Sequence, residues 1–375
     1  MPAPSVRRLL RATPVLAIVL VTLALNSCRP ESARRGSDPQ PSEQTPKTPE
    51  TEPVRGQAPQ FFRPPTANLA LFESGAEERY FVGTVGRPWT SGTFGCIRSG
   101  GYQFHEGLDI RSIERDARGE SIDSIMAVAD GTIAYVNLKP ALSNYGIYLV
   151  LRHEFQGWEL FTLYAHLSRI DPRIVPGLQV KCGDALGVMG RTANTVSAIS
   201  KDRAHLHFEI GLLINEHFPE WHRKHYSGQR NDHGIWNGRN LLGVDPLPLF
   251  LQDYHDSASF DLSTLIRQQP VLCRALVRSA NFPWLDRYPS TLEPGTTPAL
   301  PAEIVAHELH LSFQGIPLRI IPKTASEARD RAKFQLIEVN PEVARGFPCQ
   351  KLVRQRNGRW QFTAEGERFL DLLTF

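Results

Sequence analysis

Strong charge of one sign and long apolar runs are both in short supply here, and each shortage excludes a class of function. Across 375 residues the formal net charge is only +3. No stretch interleaves basic with aromatic residues, so the chain carries no electrostatic footprint for nucleic acid. The apolar run from Val15 to Leu25 is well short of the ~20 residues that a membrane-spanning helix requires. From Arg29 to about Pro65 there is almost nothing to bury. Pro, Ser, Thr, Glu and Gln dominate that segment, which cannot offset its own ordering entropy and reads as an extended, disordered linker. The rest of the chain is long enough for two domains with a full core.

Arg7, Arg8 and Arg11 precede the short apolar run, and Leu25-Asn26-Ser27-Cys28 ends it. A basic start followed by a brief apolar segment reads as an export signal. The Leu-x-Ser-Cys ending resembles the bacterial lipobox, which implies cleavage before Cys28 and a lipid on that residue. The alternative is an ordinary signal peptide with a chance cysteine. Residues 1–28 are then the leader and 29–65 a tether reaching away from the membrane. Arg29, in place of the Asp that retains lipoproteins in an inner membrane, favours the outer membrane facing the periplasm in a two-membrane cell. Cys96, Cys182, Cys273 and Cys349 remain. In an exported chain they read as two disulfides or as buried thiols. The simplest pairing stays within each region, Cys96 with Cys182 and Cys273 with Cys349.

Between Phe81 and Phe250 short β-type runs alternate with turn residues. Ser124 to Val128, Gly131 to Val136, Gly146 to Arg152, Leu160 to His166 and Ala204 to Ile210 are the predicted strands. Their close spacing predicts an all-β fold built from antiparallel sheet. Beyond Asp253 the pattern predicts strands over Ala302 to Phe313 and Gly315 to Ile321. A hairpin is predicted at Arg356-Asn357-Gly358-Arg359, then a closing helix over Ala364 to Leu373. Residues 66–252 thus form one predicted domain and 253–375 a second, small β-rich one in which no chemistry is evident.

The chemistry concentrates in Phe104-His105-Glu106-Gly107-Leu108-Asp109 and His205-Leu206-His207-Phe208-Glu209. Residues i and i+2 of a strand share a face, so His205 and His207 point into one cavity. Two imidazoles and a carboxylate form a donor set that suits zinc, and three protein ligands leave a position for water. The pairing indicates metal-assisted hydrolysis. Gly107 lets backbone crowd the site, and Leu163-Tyr164-Ala165-His166-Leu167 adds one more imidazole.

His-x-Gly-Leu-Asp, then Tyr-Ala-His-Leu, then His-Leu-His-Phe-Glu resembles the lysostaphin/LytM-type zinc metallopeptidases that cut peptidoglycan cross-links. Ser91-Gly92-Thr93-Phe94-Gly95, Val128-Ala129-Asp130-Gly131, Asn144-Tyr145-Gly146 and Val244-Asp245-Pro246 fit as well. The resemblance covers roughly Phe81 to Phe250 and implies an antiparallel LytM-type domain with a duplicated hybrid motif. It implies one Zn2+ held by His105, Asp109 and His207, with His166 and His205 as catalytic imidazoles; which of the two is the general base stays open. The implied reaction is attack of a metal-activated water on a peptide carbonyl. The implied substrate is peptidoglycan, with the membrane engaged through Cys28. A non-catalytic LytM-type scaffold that activates another cell-wall hydrolase is the alternative; such proteins usually lose metal ligands, and none is lost here. A cell-envelope partner bound through the C-terminal domain is a further expectation.

A stretch from about Leu212 to Gly243 separates the His-x-His strand from the closing Asp-Pro segment, where family members have almost nothing. It holds His217, His222, His225 and His233 and reads either as a lid over the substrate groove or as a structural elaboration. Their spacing matches no zinc template well. His307-Glu308-Leu309-His310 resembles a helical metalloprotease motif only superficially. Its histidines are three apart, on a strand-like run, and one face cannot present both.

Overall fold

Side-chain alternation organises the main sheet. Every residue of the strand His205–Leu213 is buried. Leu206, Phe208, Ile210 and Leu212 enter the large apolar core. The intervening residues face the other way, as period-two geometry requires. On that second face Leu213 joins a smaller cluster with Tyr148, Val150, Phe161, Leu163 and Ala165. Burying one such large apolar side chain contributes roughly 1.5–3 kcal/mol, so the alternation fixes which face is left for chemistry.

The structure, a computed structural model, describes residues 61–195, 199–296 and 301–375. The expected export signal with Cys28, and the expected 29–65 linker as far as residue 60, lie outside them. The main sheet is antiparallel and runs Leu241–Val244, His205–Leu213, Trp158–Leu167, Ile147–Phe155, Gly131–Asn137 and Gln179–Val180. Leu108–Arg111 shares an edge of His205–Leu213 with Leu241–Val244, pairing its first residues. Ile147–Phe155 and Trp158–Leu167 meet at Gln156 and Gly157, both with positive φ (47° and 78°), the turn whose twist matches a tight hairpin.

The expected all-β fold is corrected. Seven α-helices accompany the sheets among the described residues, and the architecture is mixed helix and sheet. Pro246–Asp256 is one such helix. Asp245 caps its start by accepting from Leu247 N at 3.0 Å, and Pro246 occupies the first turn, where a missing N–H costs nothing. In the sequence these residues read only as a closing family segment. Phe218–His225 is another helix, inside the 212–243 stretch, and it buries Phe218, Trp221 and His222.

The C-terminal region holds a four-stranded antiparallel sheet in the order Pro317–Thr324, Ile304–Leu311, Cys273–Val277, Phe334–Val339. A hairpin, Val353–Arg356 with Arg359–Phe362, and the helix Ala364–Leu373 complete it. All of the described residues fall in one compact unit. Three hydrogen bonds tie the 212–243 stretch to the last helix: Asn215 Nδ2 donates to Leu372 O at 2.8 Å, Trp221 Nε1 donates to Asp371 Oδ2 at 3.1 Å, and His225 Nε2 meets that same carboxylate oxygen at 2.8 Å.

Within-region disulfide pairing is also corrected. Cys96 bonds Cys349 across the two regions, with Cα atoms 5.4 Å apart and a sequence separation of 253; Cys182 and Cys273 are free thiols. Phe61 and Phe62, within the stretch expected to be linker, are among the described residues and are held by the fold. Phe61 and Phe62 donate their backbone N–H groups to Asp253 at 3.1 and 2.8 Å, and Phe62 is buried. Among the described residues no helix is long and apolar enough to cross a membrane.

Candidate metal centre

Strand register, more than sequence proximity, assembles the centre. His207 lies opposite Asp109 on one side and Ala165 on the other, so these three positions share a row across the sheet. Asp109 and His207 therefore project to one face. His105 arrives from the strand Gln103–His105, four residues before Asp109. Gly107 lies between them because a Cβ there would sit 2.1 Å from Phe208 O.

The three donor atoms form a nearly equilateral triangle. His105 Nε2 is 3.1 Å from Asp109 Oδ1 and 3.1 Å from His207 Nδ1, and the last two are 3.0 Å apart. Ligands at about 2.0–2.1 Å from a tetrahedral ion stand about 3.3 Å from one another, so the triangle fits zinc with one apex left open. All three residues are buried. Among the described residues no other group of three His, Cys, Asp or Glu side chains converges this way. The histidines of the 212–243 stretch build no second cluster.

The outer partners point each donor inward. His105 Nδ1–H donates to Thr93 O at 2.6 Å, freeing Nε2. His207 Nε2–H donates to Glu209 Oε1 at 2.8 Å, freeing Nδ1, and Tyr145 OH donates to the same oxygen at 2.6 Å. Arg98 Nη2 holds the second oxygen of Asp109 at 2.5 Å. Such supporting bonds fix tautomer and orientation. The electrostatics favour a cation. Burial opposes charge on His207, but hydrogen bonds and attraction from Asp109 and Glu209 push its pKa up to about 10. Burial likewise works against the charge of Asp109, yet the neighbouring imidazoles hold its carboxyl well below the usual range.

His205 and His166 stand beside this triangle with ring centroids 4.9 Å apart. In regular alternation His166 would point away from its neighbour Ala165 and hence away from His207. Its φ of 61° and the register shift beside it turn the ring back toward the site. Both imidazoles commit Nδ1–H to backbone carbonyls: His205 to Arg203 O at 2.7 Å, His166 to Thr192 O at 2.8 Å. Each presents an Nε2 lone pair. Burial lowers both pKa values, that of His166 further with help from His205. Neutral imidazoles of this kind accept protons.

An open cleft of about 480 Å³ fronts the centre, lined by Arg98, Glu106, Tyr145, His166 and His207. His233, Trp236 and Gly238 of the 212–243 stretch form part of its wall. That stretch packs its helix on the C-terminal helix and places its later half beside the groove. Arg98, Tyr145 and Glu209 lie outside the site that the sequence predicts. Glu209 has a readable signal, two residues past His207 on the same strand face. Arg98 has none, since only the tertiary fold brings it to Asp109.

Residues 103–217 match Peptidase family M23. This segment contains every donor and both flanking imidazoles. Among solved structures, the chain is similar to a zinc-containing peptidase from Vibrio cholerae (26% identity, 28% of this chain and 26% of that one, TM-score 0.21). It is also similar to the catalytic domain of lysostaphin from Staphylococcus simulans (18% identity, 46% and 88% covered, TM-score 0.25). A third is CbpA from L. salivarius REN (21%, 47% and 90%, TM-score 0.28). The chain spans about a quarter of the length of the V. cholerae protein. No curated protein matches it.

Proposed function

We propose that this chain is a zinc-dependent endopeptidase that hydrolyses peptide cross-links of bacterial peptidoglycan. The observation that carries the reading is the triangle of converging lone pairs with two neutral imidazoles beside it. Zinc, when bound, supplies a Lewis acid for the scissile carbonyl and a water of lowered pKa. His105, Asp109 and His207 hold the ion. His205 and His166 accept protons at Nε2, and a protonated ring then faces the developing oxyanion as a cation. Arg98 and Glu209 keep Asp109 and His207 aimed. The match to Peptidase family M23 supports the peptidase assignment. The substrate class rests on resemblance and on the export signal.

The test is digestion of purified peptidoglycan sacculi with and without a chelator. Chelator-sensitive release of uncross-linked muropeptides is the expected result, and none from the zinc-loaded protein would overturn the assignment. Anchoring at the envelope through Cys28 is part of the same proposal. Cys28→Ala is expected to move the protein from the membrane fraction to the soluble fraction of a fractionated cell.

A further inference from the structure

The cleft at the metal centre does not end at the M23-matching segment. It shares Gln103, Phe104, Glu106 and Gly238 with a second cavity of about 460 Å³. The far wall of that second cavity comes from the C-terminal region, through Gln314, Lys351, Leu352 and Phe369. Cys349 lies in the same wall, so the Cys96–Cys349 bond fastens this wall to the strand Gly95–Arg98, which carries Arg98.

Two side chains in this continuous trough offer polar groups that no other side chain takes up, those of Gln314 buried and that of Glu106 exposed. Both amide atoms of Gln314, Nε2 and Oε1, are buried with no hydrogen-bond partner. A group in that condition is costly to keep unless a ligand uses it. The turn that carries it is fixed in place: Gly315 has φ of 105°, and the Phe369 ring lies 2.6 Å from where a Cβ would be. Glu106 lines both cavities at their junction, and among the described residues no cation pairs with its carboxylate.

We infer that the C-terminal region completes the substrate groove, with Gln314 binding the backbone of an extended peptide beyond the scissile bond and Glu106 receiving an amine on it. A primary amide offers one donor and one acceptor side by side, which is what a peptide group in extended chain presents in return. A carboxylate at the junction selects a segment that bears an ammonium group there. This rests on the proposed peptidase reading and names which part of the substrate the C-terminal region holds.

The test uses the full chain loaded with zinc and two probes. One is a cross-linked stem-peptide dimer with free amines, and the other a peptide truncated two residues beyond the scissile bond. Gln314→Leu is expected to raise KM for the dimer about tenfold with kcat little changed, as loss of a hydrogen-bonding amide implies. The preference for the dimer over the truncated peptide shrinks accordingly. Glu106→Gln is expected to erase the preference for free over N-acetylated dimer while zinc content stays at one per chain. Fluorescence anisotropy with the labelled dimer gives an independent binding readout. If neither peptide is cut but dimer binding still depends on Gln314 and Glu106, the peptidase reading falls and the groove stands. If both substitutions leave KM and dimer binding unchanged, the groove assignment is overturned.

Discussion

Two strands of this molecule bury histidines beside a carboxylate, and only one of them builds a cation site. In Ile304–Leu311, His307 donates Nδ1–H to Ser279 O at 2.9 Å. Glu308 on that strand is matched by Arg274 at 2.6 Å, Lys323 at 3.4 Å and His310 at 3.1 Å. Its negative charge is answered inside the protein. Around His207 of His205–Leu213, the facing atoms of His105, Asp109 and His207 lie 3.0–3.1 Å from one another, and Arg98 reaches only the other oxygen of Asp109. The residue types are nearly the same in both places. The difference is whether register brings uncommitted lone pairs to a common point.

That contrast can be broken most decisively by removing a donor. His105→Ala or Asp109→Ala should abolish stoichiometric zinc and lower the rate of sacculus digestion by about a thousandfold or more. His307→Ala and His310→Ala should leave zinc at one per chain. Elemental analysis alongside the digestion assay checks both arms, and zinc lost from the second pair would erase the contrast.

The two regions are also joined covalently, which tests how far they depend on each other. Cys96→Ser opens a loop of 253 residues and should destabilise by about 4 kcal/mol. Denaturant unfolding under non-reducing conditions measures it. A smaller effect is expected from the support around His207. Glu209→Gln should weaken zinc binding about 10–100-fold, with Tyr145→Phe less severe, read by competition with a chromogenic chelator.

The smallest effect concerns Asp245, a carboxylate with neither cation nor metal. Burial raises its pKa to about 6, offset only by the Leu247 N–H. Because the folded value lies above the unfolded one, this group favours folding most below about pH 4, and that contribution is lost as pH rises through 6. Asp245→Asn keeps the cap but removes the charge. It should gain about 1 kcal/mol at pH 7.5, with the gap closing toward pH 4, as thermal melts at the two pH values would show.

How much of the site and fold is legible in the sequence depends on the range of each signal. His105 with Asp109, and His205 with His207, lie within four residues of each other, so strand periodicity alone suggests that they meet. The motif alone names His166, but its orientation depends on a positive φ that alternation does not foretell. Asp245-Pro246 carries a legible helix start, which a reading of it as a family signature passes over. The helix Phe218–His225, which buries Phe218 and Trp221 and bonds Trp221 to the distant Asp371, is passed over when the stretch is read only as a lid or an elaboration. The Cys96–Cys349 pairing and the Arg98–Asp109 contact are purely tertiary, and spacing cannot supply them.

The inter-region disulfide sets an order of events during biosynthesis. Cys349 lies 253 positions after its partner, so the bond can form only once both regions have been synthesised. Until then the strand bearing Arg98 has no covalent tie to the wall that Cys349 belongs to.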